Sequence, residues 1–492
     1  MSRSIYPVFG LTLSLTFAAC GSLHAQTLQS SADALKAANI KSIEYSGSGR
    51  WYQFGQAPNP TSAWPQFDVS SFKASINYVN SSERVRIARS QTVEAGRVRP
   101  APVEQKVDQY ISGSTAWNLN PPPASAKESA LTPTLQPAAV EERTAEIWST
   151  PQGFLKAALA NNATSKSVNS DIEVSFNIGK YRYVGLINDK DEVKQVQTWI
   201  DTPVLGDTLV ETNYSDYKDF DGIKFPTHIV RTQGGYPVLD INVAAAKSNV
   251  AVDIALPQEI ITAKATPVNV QADKLANGVY YLTGGTHHSV AIEQNDHVVL
   301  VEAPLNEERS LALIAKVKEV IPNKPIKYLV NTHAHFDHAG GLRTFVDEGS
   351  TIVTHQDNKS YFEKVWAEPR TLNPDKLASS KKAAQFETFT DKHVLSDGNN
   401  HAIEIYPIAG NGHNDAFALI YLPAEKILVE ADAYTPPAAN TPPPAKANPY
   451  TVNLYENVQK LNLDIRQIAA LHGTRVTTLD DIRSVISVAA AK

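Results

Sequence analysis

The chain has 492 residues, of which 42% are hydrophobic and 20% charged, and a formal net charge of −6. These proportions exclude a fibrous or disordered protein, and the length exceeds what one hydrophobic core ordinarily serves, so two domains are expected. No block of lysines and arginines stands out, which argues against nucleic acid as a partner.

The N-terminus reads as a targeting segment. Arg3 supplies a positive start, Val8–Ala19 is a 12-residue run without charge, and Leu23-His24-Ala25 before Gln26 fits a cleavage site. So short an apolar run is a secretory signal rather than a membrane span. Residues 1–25 are therefore assigned to a signal peptide, and the protein to export into a bacterial periplasm. No integral membrane segment is expected in the mature chain. Cys20 is the only cysteine. Phe17-Ala18-Ala19-Cys20 resembles a bacterial lipoprotein box with Phe17 where leucine is usual, so lipid anchoring through Cys20 competes with cleavage after Ala25. Cleavage at Ala25 leaves no thiolate, and any metal site must then use nitrogen and oxygen ligands.

Residues 26–262 are expected to form a β-rich domain. In "RVRIARSQTV" Val85 and Ile87 share one face with Arg84 and Arg86 on the other, and in "FKASINYVN" Ile76 and Tyr78 alternate with Ser75 and Asn77. Such runs, bounded by Gly, Asn and Ser, read as antiparallel strands with one wet face. Pro121–Pro137 is proline-rich and reads as a loop. Glu141–Ala160 reads as helical on either side of Pro151, after which strands return. The stretch "YSDYKDFDGIKFPTHI", Tyr214–Ile229, resembles a hairpin of the periplasmic lipoprotein-carrier (Lol-type) half-barrel family. That resemblance implies a curved antiparallel sheet whose apolar face either holds an acyl chain or packs on the second domain.

After residue 262 short strands mix with helices, as in a domain whose sheets are covered by helices. "GVYYLTG", "HSVAIEQ" and "HVVLVEAP" read as strands. Glu307–Ile321 reads as an amphipathic helix with Leu313, Ile314, Val317 and Ile321 on one stripe. "IKYLVNT", "STIVTH", "AIEIYPI", "FALIYLP" and "ILVEA" follow as strands. Two helices close the chain, the last with Thr478 and Asp481 spaced as a capping box.

Only 13 residues are histidine, yet three of them and an aspartate crowd the segment "HAHFDH", His333–His338. Imidazole and carboxylate are ligands for zinc and related metals. His333 and His335 can project the same way from an extended segment, while Asp337 and His338 follow where the chain turns. One loop can thus face two metal ions. More ligands must come from elsewhere, and His413, Asp432 and His472 each follow an apolar run, as expected where a sheet delivers side chains to one edge. His287 and His288 fall in a turn that can border the site. His355 ends a strand and reads either as a support behind the ligands or as structural, and His228, His297, His393 and His401 as ordinary.

H-x-H-x-D-H, then a later His, an Asp and a final His-Gly, resembles the metal-binding pattern of the metallo-β-lactamase superfamily over about residues 265–490. The resemblance implies an α+β chain whose residues 263–492 form an αββα sandwich, with the metals at one edge of its two sheets. It implies His333, His335 and His413 on a first metal, Asp337, His338 and His472 on a second, and Asp432 bridging them. The cofactors would be two Zn²⁺ ions, with iron or manganese able to take the same ligands. A metal-bridging hydroxide would cleave an ester, lactone, thioester or amide bond of a small-molecule substrate, with Asp337 orienting the nucleophile. Tyr434, similar to a tyrosine near the site of some lactonases, would donate to the developing oxyanion, or pack against a loop. Two departures bear on substrate: residue 432 is aspartate where one subclass of true lactamases has cysteine, and Asn414-Asp415 follow His413 where threonine is usual. The proline-rich Pro436–Pro449 is either a wall beside the metals or a surface loop. The competing readings are an iron-dependent oxygen or persulfide enzyme of this fold and a periplasmic binder of apolar ligands. The sequence specifies no oligomeric state.

Overall fold

The structure, a computed structural model, describes residues 27–120, 131–264, 266–398, 401–438, 441, 444 and 446–490. The signal segment with Cys20, residues 121–130 of the proline-rich stretch and part of the 436–449 loop lie outside the described residues.

Alternating apolar and polar residues through the first half of the chain build one 13-stranded antiparallel sheet. Its centre pairs Ser42–Tyr52 with Tyr236–Ser248. Two meanders run outward from that pair to the edge strands Thr132–Leu135 and Thr164–Val168. The first edge corrects the loop expectation for Pro121–Pro137: Thr132–Leu135 pairs with Thr115–Asn120. Pro133 is tolerated there because an edge strand does not need every N–H. The expected faces hold, with Ile76, Tyr78, Val85 and Ile87 all buried. Gly206–Phe220 and Ile223–Gln233 form the hairpin expected around "DGIKFP". Its two turn residues, Asp221 and Gly222, have φ of 51° and 88°, the left-handed values that a tight two-residue hairpin demands.

Pro151 divides the helical stretch as expected, into Val140–Ser149 and Pro151–Ala160, with Pro151 at the first turn of the second helix. Ile147, Phe154 and Leu155 of these helices share a core with Ile43, Phe72, Phe225 and Ile241 of the sheet. A Cβ on Gly185 would lie 2.3 Å from the Phe154 ring, so only glycine lets that ring reach the sheet. The apolar face is therefore filled by this domain's own helices, neither by an acyl chain nor by the second domain as expected.

The second domain holds a seven-stranded sheet, from Gln271–Ala276 to Gln385–Phe389, and a five-stranded sheet, from His393–Leu395 to Gln467–Ala470. One core joins them: Val290, Val299, Val330 and Val353 of the first sheet meet Ile405, Leu419, Val429 and Ile468 of the second. On the first sheet's other face Leu300, Leu329 and Ile352 pack with Leu313 and Val317 of helix Glu307–Val320 and Phe345 of helix Leu342–Glu348. Both faces of these strands are buried, which is why they read as continuous apolar runs. Thr478 and Asp481 exchange the two bonds of a capping box before helix Leu479–Ala490. Helix Gln356–Trp366 and strand Gln385–Phe389 carry too few apolar residues to announce themselves. Among the described residues no helix is long and apolar enough to cross a membrane.

Within the two sheets, Val298–Val301, Ile326–Val330, Thr351–His355 and Gln385–Phe389 run parallel, as do Ile427–Glu430 and Gln467–Ala470. Parallel strands bring their C-terminal ends to one edge. The segments that follow Val301, Val330, Glu430 and Ala470 therefore emerge together.

Candidate metal centre

At that edge the sequence-distant histidines converge. His333, His335, His413 and Asp432 each offer a ligating atom, all within 4.8 Å of one another, and so do His287, Asp337, His338 and His472. Asp432 stands between the groups. Its Oδ2 lies 3.1 Å from His333 Nε2, 3.3 Å from His413 Nε2 and 2.9 Å from His338 Nε2, and its Oδ1 lies 2.9 Å from His472 Nε2. All seven residues expected from the motif are thus brought together, with Asp432 between the two groups.

The donor atoms fit a divalent cation. His333 Nε2, His335 Nδ1, His413 Nε2 and Asp432 Oδ2 are buried, face one another, and have no hydrogen-bond partner. Four such atoms without partners are costly unless a cation meets them. The outer nitrogens explain why the inner ones are free. Thr332 Oγ1 donates to Glu302 and so receives His333 Nδ1 at 3.0 Å. Glu302 Oε2 lies 3.1 Å from His338 Nδ1. Each contact places a hydrogen on Nδ1 and turns Nε2 inward, the outer-layer arrangement typical of metal-ligating histidines.

Electrostatics agree. Burial and the neighbouring His338 hold the His333 imidazole down to about 4. Burial and His413 hold His335 well below its ordinary value. Both rings are therefore neutral at pH 7, with a lone pair to give. His338 differs: burial pushes it down, but Asp432, Glu302 and Asp337 outweigh that and raise it well above its usual range. Burial would raise Asp432, yet His338 and His413 hold it well below the usual carboxylate range. Surroundings that favour a proton on His338 also favour a metal cation.

Residues 282–446 match the sequence model of the metallo-β-lactamase superfamily. Those residues, within the C-terminal half, belong to that superfamily. A curated relative, the 2,4-dinitroanisole O-demethylase subunit alpha of Nocardioides sp. (strain JS1661), is 25% identical over 171 residues, 34% of this chain and 47% of its own length. The chain thus spans about half the length of that relative. Among solved structures, a metallo-β-lactamase from Pontibacter korlensis is 17% identical with a TM-score of 0.35, covering 46% of this chain and 100% of its own. The FIM-1 metallo-β-lactamase from Pseudomonas aeruginosa is 18% identical with a TM-score of 0.35, covering 46% and 98%.

Several residues stand outside the metallo-β-lactamase pattern. His287, expected only to border the site, joins the second group: its Nε2 lies 3.1 Å from Asp337 Oδ2 and its ring 4.2 Å from that of His472. A backbone bridge between His287 and His472 holds it there. His288 instead turns to the carbonyl of Gly473, at 2.7 Å. His355 caps helix Gln356–Trp366 by accepting from Asp357 N, a structural role as expected.

Tyr434 requires a correction. Its ring lies in the core, only 5% exposed. Its hydroxyl meets Thr477 beside Arg475 and Asp481. Backbone bonds from Ala433 N and Tyr434 N to Glu430 fix this loop at 3.0 Å each, presenting Asp432 to the histidines while turning Tyr434 aside. A tyrosine ring does lie near the site, that of Tyr450, 5.4 Å from His413. Two acids escaped the sequence reading, Glu302 and Glu430, both 0% exposed. Their signal was a lone carboxylate ending an apolar strand, in "VVLVE" and "ILVE".

Proposed function

We propose that the protein is an exported, dinuclear metal-dependent hydrolase acting on a small molecule. In this reading the mature chain runs from residue 26, with a curved half-barrel-like β domain to residue 262 and an αββα hydrolase domain over 263–492. The observation that carries it is the pair of ligand groups, with Asp432 of the first 2.9 Å from His338 and His472 of the second, and four inward atoms that bond nothing else. His333, His335, His413 and Asp432 would hold one divalent ion, and Asp337, His338, His472 and Asp432 a second, with His287 beside it. Nitrogen and oxygen donors suit zinc, and iron or manganese take the same set. Two such ions, when bound, would supply a water of near-neutral pKa and polarise the oxygen under attack.

The chain's own groups do the rest. Asp337 is a third exposed, with Oδ2 toward His287 at 3.1 Å. Burial would raise it, but His287 and His338 keep it an anion well below the usual carboxylate range. A partly exposed anion among the ligands can orient a nucleophile and take its proton. Glu430, raised well above the usual range by burial, keeps the Asp432 loop in place. Tyr434 takes no part.

The substrate class is an ester, lactone, thioester or amide. The name of the curated relative adds a second reading, removal of a methyl group from an aryl ether. Iron-dependent chemistry on the same ligands is the third. The test is turnover of a chromogenic β-lactam, a lactone, a thioester, an ester and 2,4-dinitroanisole by the zinc- and iron-loaded proteins, with metal content measured in parallel. We expect the zinc form to hydrolyse one acyl class, and His335→Ala to lose both turnover and metal. Turnover of the ether, or activity with iron alone, would replace the hydrolase reading. Metal-free protein after loading would remove it.

A further inference from the structure

We infer that the N-terminal domain is a working part of the metal centre: Gly55, Gln56 and Ala57 of its segment Gln53–Pro65 position His335 and Asp337 for metal binding. This rests on the metal reading proposed above. The segment links strands Ser42–Tyr52 and Gln66–Asn77 and lies across both ligand loops. Phe336 N donates to Gly55 O at 3.1 Å and Asp415 N to Pro58 O at 2.8 Å. The Phe336 ring, between His335 and Asp337 in sequence, stands edge-on to Phe54 at 5.2 Å. Gly55 has φ +73°, and a Cβ there would fall 2.5 Å from the Phe336 ring. The contact requires glycine on both counts.

Two bonds go beyond docking. His335 Nε2 lies 3.0 Å from Ala57 O. A carbonyl only accepts, so Nε2 carries the hydrogen and Nδ1 the lone pair. Nδ1 is the very atom of His335 left without a partner inside the first group. The second bond runs from Gln56 Nε2 to Asp337 Oδ1, 2.7 Å, leaving Oδ2 for the second group. His333 and His338 take their outer bonds from Thr332 and Glu302 of their own domain. His335 takes its own from the other domain. The departure noted after His413 falls here too: Asn414 Nδ2 donates to Ala57 O at 3.3 Å, and Asp415 pairs with Asn59 and Arg97. Outer-layer partners of this kind set ligand orientation and metal affinity.

The test uses the full chain and zinc alone. Zinc affinity is measured by competition with a chromogenic chelator for wild type, Gln56→Leu, Gly55→Val and Asn59→Ala. The histidine tautomers are read by ¹⁵N NMR of the histidine-labelled, zinc-loaded protein, and folding by circular dichroism. Gln56→Leu is expected to weaken one zinc by about 10-fold or more. Gly55→Val should weaken zinc binding and shift the signal of His335, which carries its hydrogen on Nε2. Asn59→Ala cuts a docking bond of the same loop that touches no ligand, and should leave both affinities unchanged. Wild-type affinity in Gln56→Leu and Gly55→Val overturns the inference while leaving the metal reading intact. An equal loss in Asn59→Ala also overturns it, since docking alone would then explain the effect. A wild type that binds no zinc overturns both.

Discussion

Glu302 is fully buried, has a backbone φ of 74°, and divides its carboxylate between Thr332 and His338. A non-glycine residue in that conformation is strained by about 1–3 kcal/mol, and the bonds at its carboxylate hold it there. Glu302→Gln keeps the size but removes the charge that receives His338 Nδ1. Zinc affinity should fall by about 10- to 100-fold, read by chelator competition; an unchanged affinity would mean that Asp432 alone orients His338. Tyr434 gives the opposite expectation. With its hydroxyl at Thr477, Tyr434→Phe should leave kcat within about twofold. Loss of an oxyanion donor would cost about 10²- to 10³-fold, so a fall of that size would restore Tyr434 to the catalytic site.

At the scale of elements, local sequence rules and the folded chain agree where the rule is local. The capping box at Thr478 is one case: Thr478 Oγ1 receives Asp481 N at 3.3 Å, and Asp481 Oδ2 receives Thr478 N at 2.8 Å. Thr478→Ala should cost about 1 kcal/mol of stability, measured by chemical unfolding, with metal content unchanged. The Asp221-Gly222 turn is another, since both residues take the positive φ that the hairpin needs. Elements ruled by packing were less legible. Thr132–Leu135 is a strand despite its proline because it lies at a sheet edge, and nothing in the local sequence states where an edge will fall.

For the whole molecule, the contact between domains is aromatic at its centre. Trp64 is 5% exposed, stacks on Tyr236 at 4.9 Å and meets Phe54 edge-on at 4.6 Å. Phe54 in turn meets Phe336 of the metal loop. Trp64→Ala should cost about 3 kcal/mol. If the loop beneath it serves the metal centre, the rise in Tm on adding zinc should also shrink, because stabilisation by a ligand follows its affinity. A Tm lowered equally with and without zinc would confine Trp64 to packing.

The sequence by itself determined the cluster of histidines and aspartates and its place at strand ends. The spacing of His333, His335, Asp337 and His338 lies within one loop, and His413, Asp432 and His472 each follow a readable apolar strand. It also carried the alternation that makes the long antiparallel sheet. Only the tertiary structure decided which nitrogen of each histidine faces inward, that Glu302 and Glu430 brace the site, that His287 joins it and that Tyr434 does not. These follow from hydrogen bonds between residues far apart in the chain: His335 and Ala57 are separated by 278 positions. No local pattern records such a pairing, because the free energy that fixes it comes from packing two domains together.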